Sequence, residues 1–207
     1  MQTKTQPNIK YEYFHWGPFL FHTEITQEEC DIIIEEGKKC RRKSNDYRHH
    51  LAGHLSEEYA IIKFEWLQKY FEVYLIGYKK WRGRKLIKTS STMQVMDSWI
   101  NYMKAGDFNP PHNHGGDLSF VIYPDVPKEI TQENKEFEGT GSSMSGPGAI
   151  SWMYGDPGTD QCISLVERMP VTRDLFIFPA FLKHWVFPFK SDVERVSVSG
   201  NIIFKDS

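Results

Sequence analysis

The chain has 207 residues, of which 40% are hydrophobic and 14% aromatic, and its formal net charge is -2. This length suits one ordinary domain with a substantial core, and the composition excludes an intrinsically disordered chain. The near-neutral charge gives no reason to expect nucleic acid or an acidic membrane surface as a partner.

The first part of the chain, residues 1–83, has the pattern of an extended segment followed by two helices. Residues 8–25 are rich in aromatic side chains and are predicted to be extended. Thr26 and Glu29 form a capping-box pattern, which predicts an amphipathic helix that ends near Cys40. A longer helix is predicted over residues 56–80, because apolar side chains recur there at helical spacing.

The second part, residues 84–207, consists of short apolar runs separated by Gly, Pro and Asp. Such runs predict a mainly β core, with the N-terminal strand and two helices as its buttress, in one single domain over 1–207. Residues 125–147 contain two Pro and the sequence GTGSSMSGPG, and are predicted to be a mobile loop that could act as a lid. Candidate strands cover residues 86–103, 117–123, 148–154, 161–169, 174–178, 184–189 and 195–204.

The cysteines and the N-terminus indicate a compartment. Cys30, Cys40 and Cys162 form no CxxC pair, and an odd, sparse set does not indicate a disulfide framework. No apolar signal-peptide region follows Met1, and no apolar run approaches the length needed to span a membrane. We therefore expect free thiols and a soluble, cytoplasmic protein.

The stretch Pro110-Pro111-His112-Asn113-His114-Gly115-Gly116-Asp117 concentrates side chains that bind metals. Side chains at positions i and i+2 of a strand point to the same face, so His112 and His114 can present two imidazoles to one point. Asp117 follows two glycines that allow the chain to turn back. Imidazole and carboxylate are suitable ligands for Fe(II), Mn(II) or Zn(II). The bland alternative is that these are ordinary surface or core residues.

A third imidazole is expected from His184, which lies between two strongly apolar predicted strands. Eleven residues later comes Arg195-Val196-Ser197, in which Arg195 and Ser197 face the same way on a predicted strand. A guanidinium matches a carboxylate with two parallel hydrogen bonds, and a neighbouring hydroxyl adds another donor. The alternative for Arg195 is a surface salt bridge, the commoner fate of an arginine.

Three segments in this order, PPHNHGGDLSFVIYP, LFIFPAFLKHWVFPF and ERVSVSGNI, resemble the 2-oxoglutarate/Fe(II)-dependent oxygenase superfamily. The resemblance is to its "putative 2OG-Fe(II) oxygenase" group of bacteria and marine phages, and it covers roughly residues 95–204. It implies a double-stranded β-helix, the jelly-roll also found in cupins. It also implies Fe(II) as cofactor and 2-oxoglutarate as co-substrate of a dioxygenase, expected to be a hydroxylase.

The resemblance assigns roles to individual residues. His112 and His184 match the first and the distal iron ligand, and Arg195 with Ser197 matches the pair that holds the 5-carboxylate of 2-oxoglutarate. Tyr123 matches a residue that often bonds the same carboxylate, and Asn101 or Tyr102 is expected to line the co-substrate pocket. Where the family has an acid two residues after the first ligand, this sequence has His114. Either His114 or, across the Gly-Gly turn, Asp117 is the second ligand, and we favour His114.

Two other functions remain open at this level. A cupin-type metalloenzyme is suggested by Gly106 and, five residues on, His-x-His, although the expected downstream Glu is absent. A non-enzymatic jelly-roll structural protein would have a similar aromatic content and charge. The sequence does not identify the substrate, which could be a protein side chain such as proline or a small molecule, and it leaves the oligomeric state open.

Overall fold

A computed structural model describes residues 17–82, 92–138, 146–155 and 164–205. The helices are α1 (Gln27–Cys40), α2 (Gln68–Arg82) and α3 (Lys128–Glu138). The strands are β1 (Phe21–Glu24), β2 (Glu57–Ala60), β3 (Thr92–Met103), β4 (Asn109–His112), β5 (Leu118–Asp125), β6 (Ile150–Met153), β7 (Leu165–Arg168), β8 (Asp174–Pro179), β9 (Lys183–Val186) and β10 (Arg195–Lys205).

The strands form two antiparallel sheets that face each other. The larger sheet has the order β1-β8-β5-β10-β3-β2, and the smaller one has the order β4-β9-β6-β7. From β3 onward the chain alternates between the two sheets, except that β6 and β7 follow each other in the smaller one, and this is the arrangement of the eight-stranded double-stranded β-helix. The fold expected from the sequence is confirmed, and β1 and β2 extend the larger sheet at its two edges.

Alternation along the strands of the larger sheet divides the buried side chains into two groups. On β5, Phe120 and Ile122 pack beneath the helices, whereas Val121 and Tyr123 point into the space between the sheets. The same alternation places Leu175 and Ile177 of β8 in the helix-facing core. One face of this sheet is therefore covered by α1 and α2, and the other faces the small sheet.

The N-terminal helix α1 confirms the predicted capping box. The Thr26 side chain accepts a hydrogen bond from the Glu29 amide (3.2 Å), and the Glu29 carboxylate accepts one from the Thr26 amide (2.8 Å). Lys69 and Tyr70, at the start of α2, also contact this carboxylate, at 2.6 and 2.7 Å. These contacts connect the two helices on the outer face of the larger sheet.

The long helix predicted over residues 56–80 is wrong in its first half. Residues Glu57–Ala60 form strand β2, which pairs with β3, and α2 begins only at Gln68. Apolar residues spaced by three, here Ile61, Phe64 and Leu67, suit a helix but equally a strand end followed by a 3-10 turn. The Ile61 amide donates to the Ser98 carbonyl, so the segment is held by the sheet.

The mobile loop predicted over 125–147 is also wrong, because its described part contains helix α3. Only Ile130 and Asn134 of this helix are buried, and its two apolar side chains, Ile130 and Phe137, form a short helical pattern within a polar segment. Residues 139–145 of the predicted loop lie outside the described residues. Where residues are described, the other predicted strands are present but begin and end at somewhat different residues. Strand β4 was not predicted.

The structure bears on two of the expectations from the sequence, the free thiols and the lack of a membrane-spanning segment. Cys30 and Cys40 are free thiols, whereas Cys162 lies outside the described residues. None of the helices in the described part of the chain is both long and apolar enough to cross a lipid bilayer.

Candidate functional site

The antiparallel pairing of β4 with β9 brings two predicted ligands together. His112 and His184 are direct partners in this pairing, and their ring centroids lie 4.3 Å apart. Directly opposite side chains on neighbouring strands share one face of a sheet. Both imidazoles therefore project from the small sheet towards the larger one.

Backbone carbonyls orient both rings. Nδ1 of His112 lies 2.7 Å from the Pro110 carbonyl oxygen, and Nδ1 of His184 lies 3.0 Å from that of Leu182. A carbonyl can only accept, so each Nδ1 carries the proton and donates it, and each Nε2 keeps its lone pair. Such a hydrogen bond on the far side of the ring is the usual support of a metal-binding histidine.

The chain after β4 places a third imidazole beside the first two. The amide of His114 donates to the Ala180 carbonyl (3.0 Å), and its ring lies 4.9 Å from His112 and 5.1 Å from His184, centroid to centroid. Gly116 follows with a φ of +92°, where an added Cβ would lie only 3.0 Å from the Ile202 carbonyl oxygen. Only glycine suits this turn into β5.

The three histidines form a group whose ligand atoms all lie within 4.8 Å of one another. Asp117 is outside this group: its side chain is exposed and accepts a hydrogen bond from the Phe204 amide at 2.7 Å. The structure thus brings His114 to the other two imidazoles and directs Asp117 away from them.

Burial keeps the three imidazoles neutral. Desolvation lowers the pKa of His112 below its usual value, that of His114 to about 4 and that of His184 to about 3. Proximity to His112 lowers the pKa values of His114 and His184 further. Neutral imidazoles offer lone pairs at physiological pH, and imidazole is a suitable ligand for Fe(II) as well as for Zn(II). The donor set therefore fits an iron ion.

Arg195, at the start of β10, is buried in the same cavity as these histidines. Nη1 donates to the Gly148 carbonyl (2.6 Å), Nη2 points to the sulfur of Met103, and Nε has no partner. The guanidinium lies 5.3 Å from the centre of the Tyr123 ring. Among the described residues no carboxylate lies within ion-pair distance of it. A buried, unneutralised cation is costly unless a ligand supplies the opposite charge.

Asn101 and Tyr102, the two residues of β3 expected near the co-substrate, point to opposite faces of the sheet. Asn101 lines the cavity, and its Nδ2 donates to the hydroxyl of Ser197 (3.2 Å), which lies opposite it on β10. Tyr102 must point the other way, and it packs beneath Arg41 in the helix-facing core. The expectation that Tyr102 could line the pocket is therefore corrected, because neighbouring strand residues cannot share a face.

The cavity that holds these groups has a volume of about 190 Å³. This volume is enough for a small organic acid. Its walls also include three residues that the sequence did not single out, Glu58 of β2, Trp99 of β3 and the exposed His50. Trp99 lies 5.5 Å from the His114 ring, centroid to centroid. Glu58 was hidden because its segment was predicted to be helical.

The sequence matches the model of a known protein family. The model of the family described as "Putative 2OG-Fe(II) oxygenase" matches residues 97–201, slightly more than half of the 207-residue chain. The match extends from β3 into β10, so it contains the three histidines and Arg195. No curated protein matches the sequence significantly.

Two solved structures have a similar fold at low sequence identity. A prolyl-4-hydroxylase from Pseudomonas putida is 12% identical with a TM-score of 0.54, and the match covers 91% of this chain and 92% of that one. A viral collagen prolyl hydroxylase from Paramecium Bursaria Chlorella virus-1 is also 12% identical, with a TM-score of 0.50 and coverage of 93% and 97%. At this identity the likeness establishes the shared fold alone.

Proposed function

We propose that His112, His114 and His184 bind the iron of this chain, which belongs to the 2OG-Fe(II) oxygenase family and is a 2-oxoglutarate-dependent non-haem iron dioxygenase. We further propose that Arg195 binds the distal carboxylate of 2-oxoglutarate and that the reaction is a hydroxylation. Family membership removes the support for the cupin-type enzyme and for the non-enzymatic jelly-roll.

The observation that carries this proposal is the unneutralised Arg195 in the cavity that also holds the three histidines. A buried guanidinium selects a carboxylate, and a metal ion bound by the nearby imidazoles could bind the other end of a keto acid. Ser197, oriented by Asn101, offers a hydroxyl beside this position. Tyr123 covers the guanidinium and excludes water from it.

Iron and 2-oxoglutarate, when bound, supply the oxidation of a C–H bond by dioxygen, with 2-oxoglutarate converted to succinate and carbon dioxide. The protein residues orient and enclose these groups. The carbonyls of Pro110 and Leu182 keep Nε2 of His112 and His184 free of protons. Trp99 packs beside His114 and limits access of water to it.

A site of three histidines differs electrostatically from the usual pair of histidines with one carboxylate. Three neutral imidazoles leave the full positive charge of the ion in the cavity, whereas a carboxylate ligand would halve it. The dianionic co-substrate then provides the compensating negative charge, at the metal and at Arg195. We infer that binding of metal and co-substrate is strongly coupled in this protein.

The substrate proposed for a first test is a peptide that contains proline, because the two solved structures named above are prolyl hydroxylases. We also propose that residues 1–207 act as one domain. Free thiols at Cys30 and Cys40 support a reducing compartment such as the cytoplasm. A thiol reagent that does not cross membranes tests this location. Equal labelling of the protein in intact and in lysed cells would contradict it.

The direct test is to incubate the iron-loaded protein with 2-oxoglutarate in air and to quantify succinate. We expect slow succinate formation without substrate and faster formation with a prolyl peptide that is hydroxylated. Arg195→Leu should strongly reduce succinate formation at the same 2-oxoglutarate concentration, because it weakens binding of the co-substrate. Absence of succinate, together with absence of 2-oxoglutarate binding in calorimetry, would contradict the proposed function.

A further inference from the structure

A second buried charge lines the same cavity. Glu58 lies on the edge strand β2, where it is the direct partner of Asn101 on β3, and only 2% of its surface is exposed. Because directly opposite residues share a face, its carboxylate points between the two sheets, as Asn101 does. Ser197 continues this row on β10. Two strand spacings separate Glu58 from Ser197, which is about 10 Å.

Two hydrogen-bond acceptors in this row have no donor. Oε2 of Glu58 and Oδ1 of Asn101 are buried and have no hydrogen-bond partner. Nδ2 of Asn101 already donates to Ser197 and Ser199, at 3.2 and 3.4 Å, so the amide group is fixed with its oxygen free. Buried acceptors left unpaired cost free energy, and they commonly mark the place of a ligand.

The charge of Glu58 also has no counterion among the described residues. The positive charge of Arg48 acts on it and lowers its pKa, but the Arg48 guanidinium is exposed and bonded to Asp46. Asp107 and Asp46 add negative charge nearby. Burial, the largest effect, raises the pKa of Glu58 to about 7. The carboxylate is thus in the situation of Arg195, with the opposite sign.

The two ends of the cavity therefore differ in the charge of the side chain that lines them. Arg195 of β10 is the direct partner of Met103 of β3 and lies beside the buried Tyr123. Glu58 lies on the edge strand β2, and the cavity wall also includes residues 50–53, of which His50 and Ala52 are exposed. A dicarboxylate at Arg195 leaves the Glu58 side of the cavity for a second molecule.

We propose that Glu58 and Asn101 form a substrate subsite that accepts hydrogen bonds from a cationic nitrogen group, an ammonium or a guanidinium. This inference rests on the proposed function only in calling the ligand a substrate. A cation there donates to both free oxygens and neutralises the carboxylate, which ends the cost of its burial. A peptide substrate would carry Lys or Arg next to the hydroxylated residue, and a small substrate would carry the cation itself.

The test measures binding without turnover. The full chain is loaded with Zn(II), which is redox-inactive, saturated with 2-oxoglutarate and titrated calorimetrically with matched probes. The small-molecule pair is arginine and its neutral isostere citrulline. The peptide pair is acetylated, amidated Ala-Pro-Arg-Ala and the same peptide with citrulline. Each pair differs mainly in charge, and the two pairs distinguish a free cation from a peptide.

We expect a cationic probe to bind at least about tenfold more tightly than its neutral partner, and Glu58→Gln to remove this preference. Glu65→Gln, at an exposed position, is the control for the same chemical change and should keep the preference. Both variants should still bind 2-oxoglutarate, which shows that their cavities are intact.

Equal binding of cationic and neutral probes, no binding of either cationic probe, or an unchanged preference in Glu58→Gln would each overturn the subsite. Failure of the wild-type protein to bind 2-oxoglutarate in the same titration is a separate result. It would contradict the proposed function, whereas the preference for cations tests Glu58 alone.

Discussion

His112 and His184 face each other across the β4–β9 pairing, with ring centroids 4.3 Å apart and each Nδ1 donating to a backbone carbonyl. Neither β4 nor this pairing was predicted, yet the register fixes the distance between the two imidazoles more than any other feature. A shift of one residue would turn one ring to the opposite face. The proposed metal site is therefore a property of strand register and not of the His-x-His segment alone.

The identity of the third ligand gives the first prediction. His114→Ala should weaken Fe(II) binding by more than the roughly 10- to 100-fold that loss of a supporting hydrogen bond costs. Asp117→Ala should leave Fe(II) affinity unchanged, because its carboxylate bonds the Phe204 amide and is exposed. Metal titration with a competing chelator measures both. Unchanged affinity in His114→Ala, with loss in Asp117→Ala, would reverse the assignment.

Arg195→Leu gives the second prediction. Truncating one partner of a buried, hydrogen-bonded ion pair costs about 2–5 kcal/mol, so the affinity for 2-oxoglutarate should fall by roughly 30-fold or more. The ligand-free protein should lose little stability, since the change removes a buried charge that has no counterion. Calorimetry and thermal unfolding measure the two effects.

Arg168→Leu is the matched control for that substitution, because Arg168 is exposed. It should bind 2-oxoglutarate as the wild-type protein does. Equal affinities of both variants and the wild-type protein would show that Arg195 does not hold the co-substrate.

Gly148→Ala gives the third prediction. Gly148 has a φ of +74°, its added Cβ would collide with Ile130, and its carbonyl accepts the hydrogen bond of Arg195. We expect a loss of about 1–3 kcal/mol in the free energy of unfolding, together with weaker 2-oxoglutarate binding. Chemical denaturation and calorimetry measure these quantities.

Gly155→Ala separates backbone strain from collision. Gly155 has a φ of +82°, but an added Cβ would meet nothing within 4 Å. This variant should show the strain alone and normal 2-oxoglutarate binding. If both variants bound 2-oxoglutarate normally, the Gly148 carbonyl would have no part in positioning Arg195.

The pH dependence of stability gives the fourth prediction. The folded-state pKa of Glu58 is raised from 4.5 to about 7, so the folded protein binds the proton more tightly than the unfolded chain. The cost of ionising Glu58 is absent below about pH 4.5 and complete above about pH 7, where it amounts to at most roughly 3 kcal/mol. Glu58→Gln should therefore stabilise the ligand-free protein at pH 8 and not at pH 4.5.

The adjacent Glu57 provides a control of opposite sign. Hydrogen bonds from Arg41 lower the pKa of Glu57 to about 2, so its stabilisation is present above about pH 4.5 and is lost as the pH falls towards 2. Glu57→Gln should thus destabilise the protein at pH 8. Denaturant titrations at both pH values measure these differences, and a parallel response of the two variants would contradict the account.

The sequence predicted the features that depend on local patterns and short motifs. The capping box gave the start of α1, alternation and turn residues gave most strands of the core, and three ordered motifs gave His112, His184 and Arg195. It failed where tertiary contacts decide. Residues 57–60 form a strand only because β3 offers an edge to pair with, and α3 has just two apolar residues, Ile130 and Phe137, in a polar segment.

The site shows the same limit. The choice between His114 and Asp117 depends on the turn at Gly116, whose φ of +92° no pattern in one sequence specifies. Glu58 could not be placed in the cavity while its segment was predicted to be helical. Asn101 and Tyr102 could be distinguished only once the register of β3 against β10 was known.

The most direct test of the central claim is the visible spectrum of the Fe(II)-loaded protein, titrated anaerobically with 2-oxoglutarate. We predict a weak charge-transfer band that grows to saturation in the wild-type protein and in Asp117→Ala, and that is lost in His114→Ala and in Arg195→Leu at the same 2-oxoglutarate concentration. A wild-type protein that binds iron but develops no band and shows no 2-oxoglutarate binding in calorimetry would contradict the account.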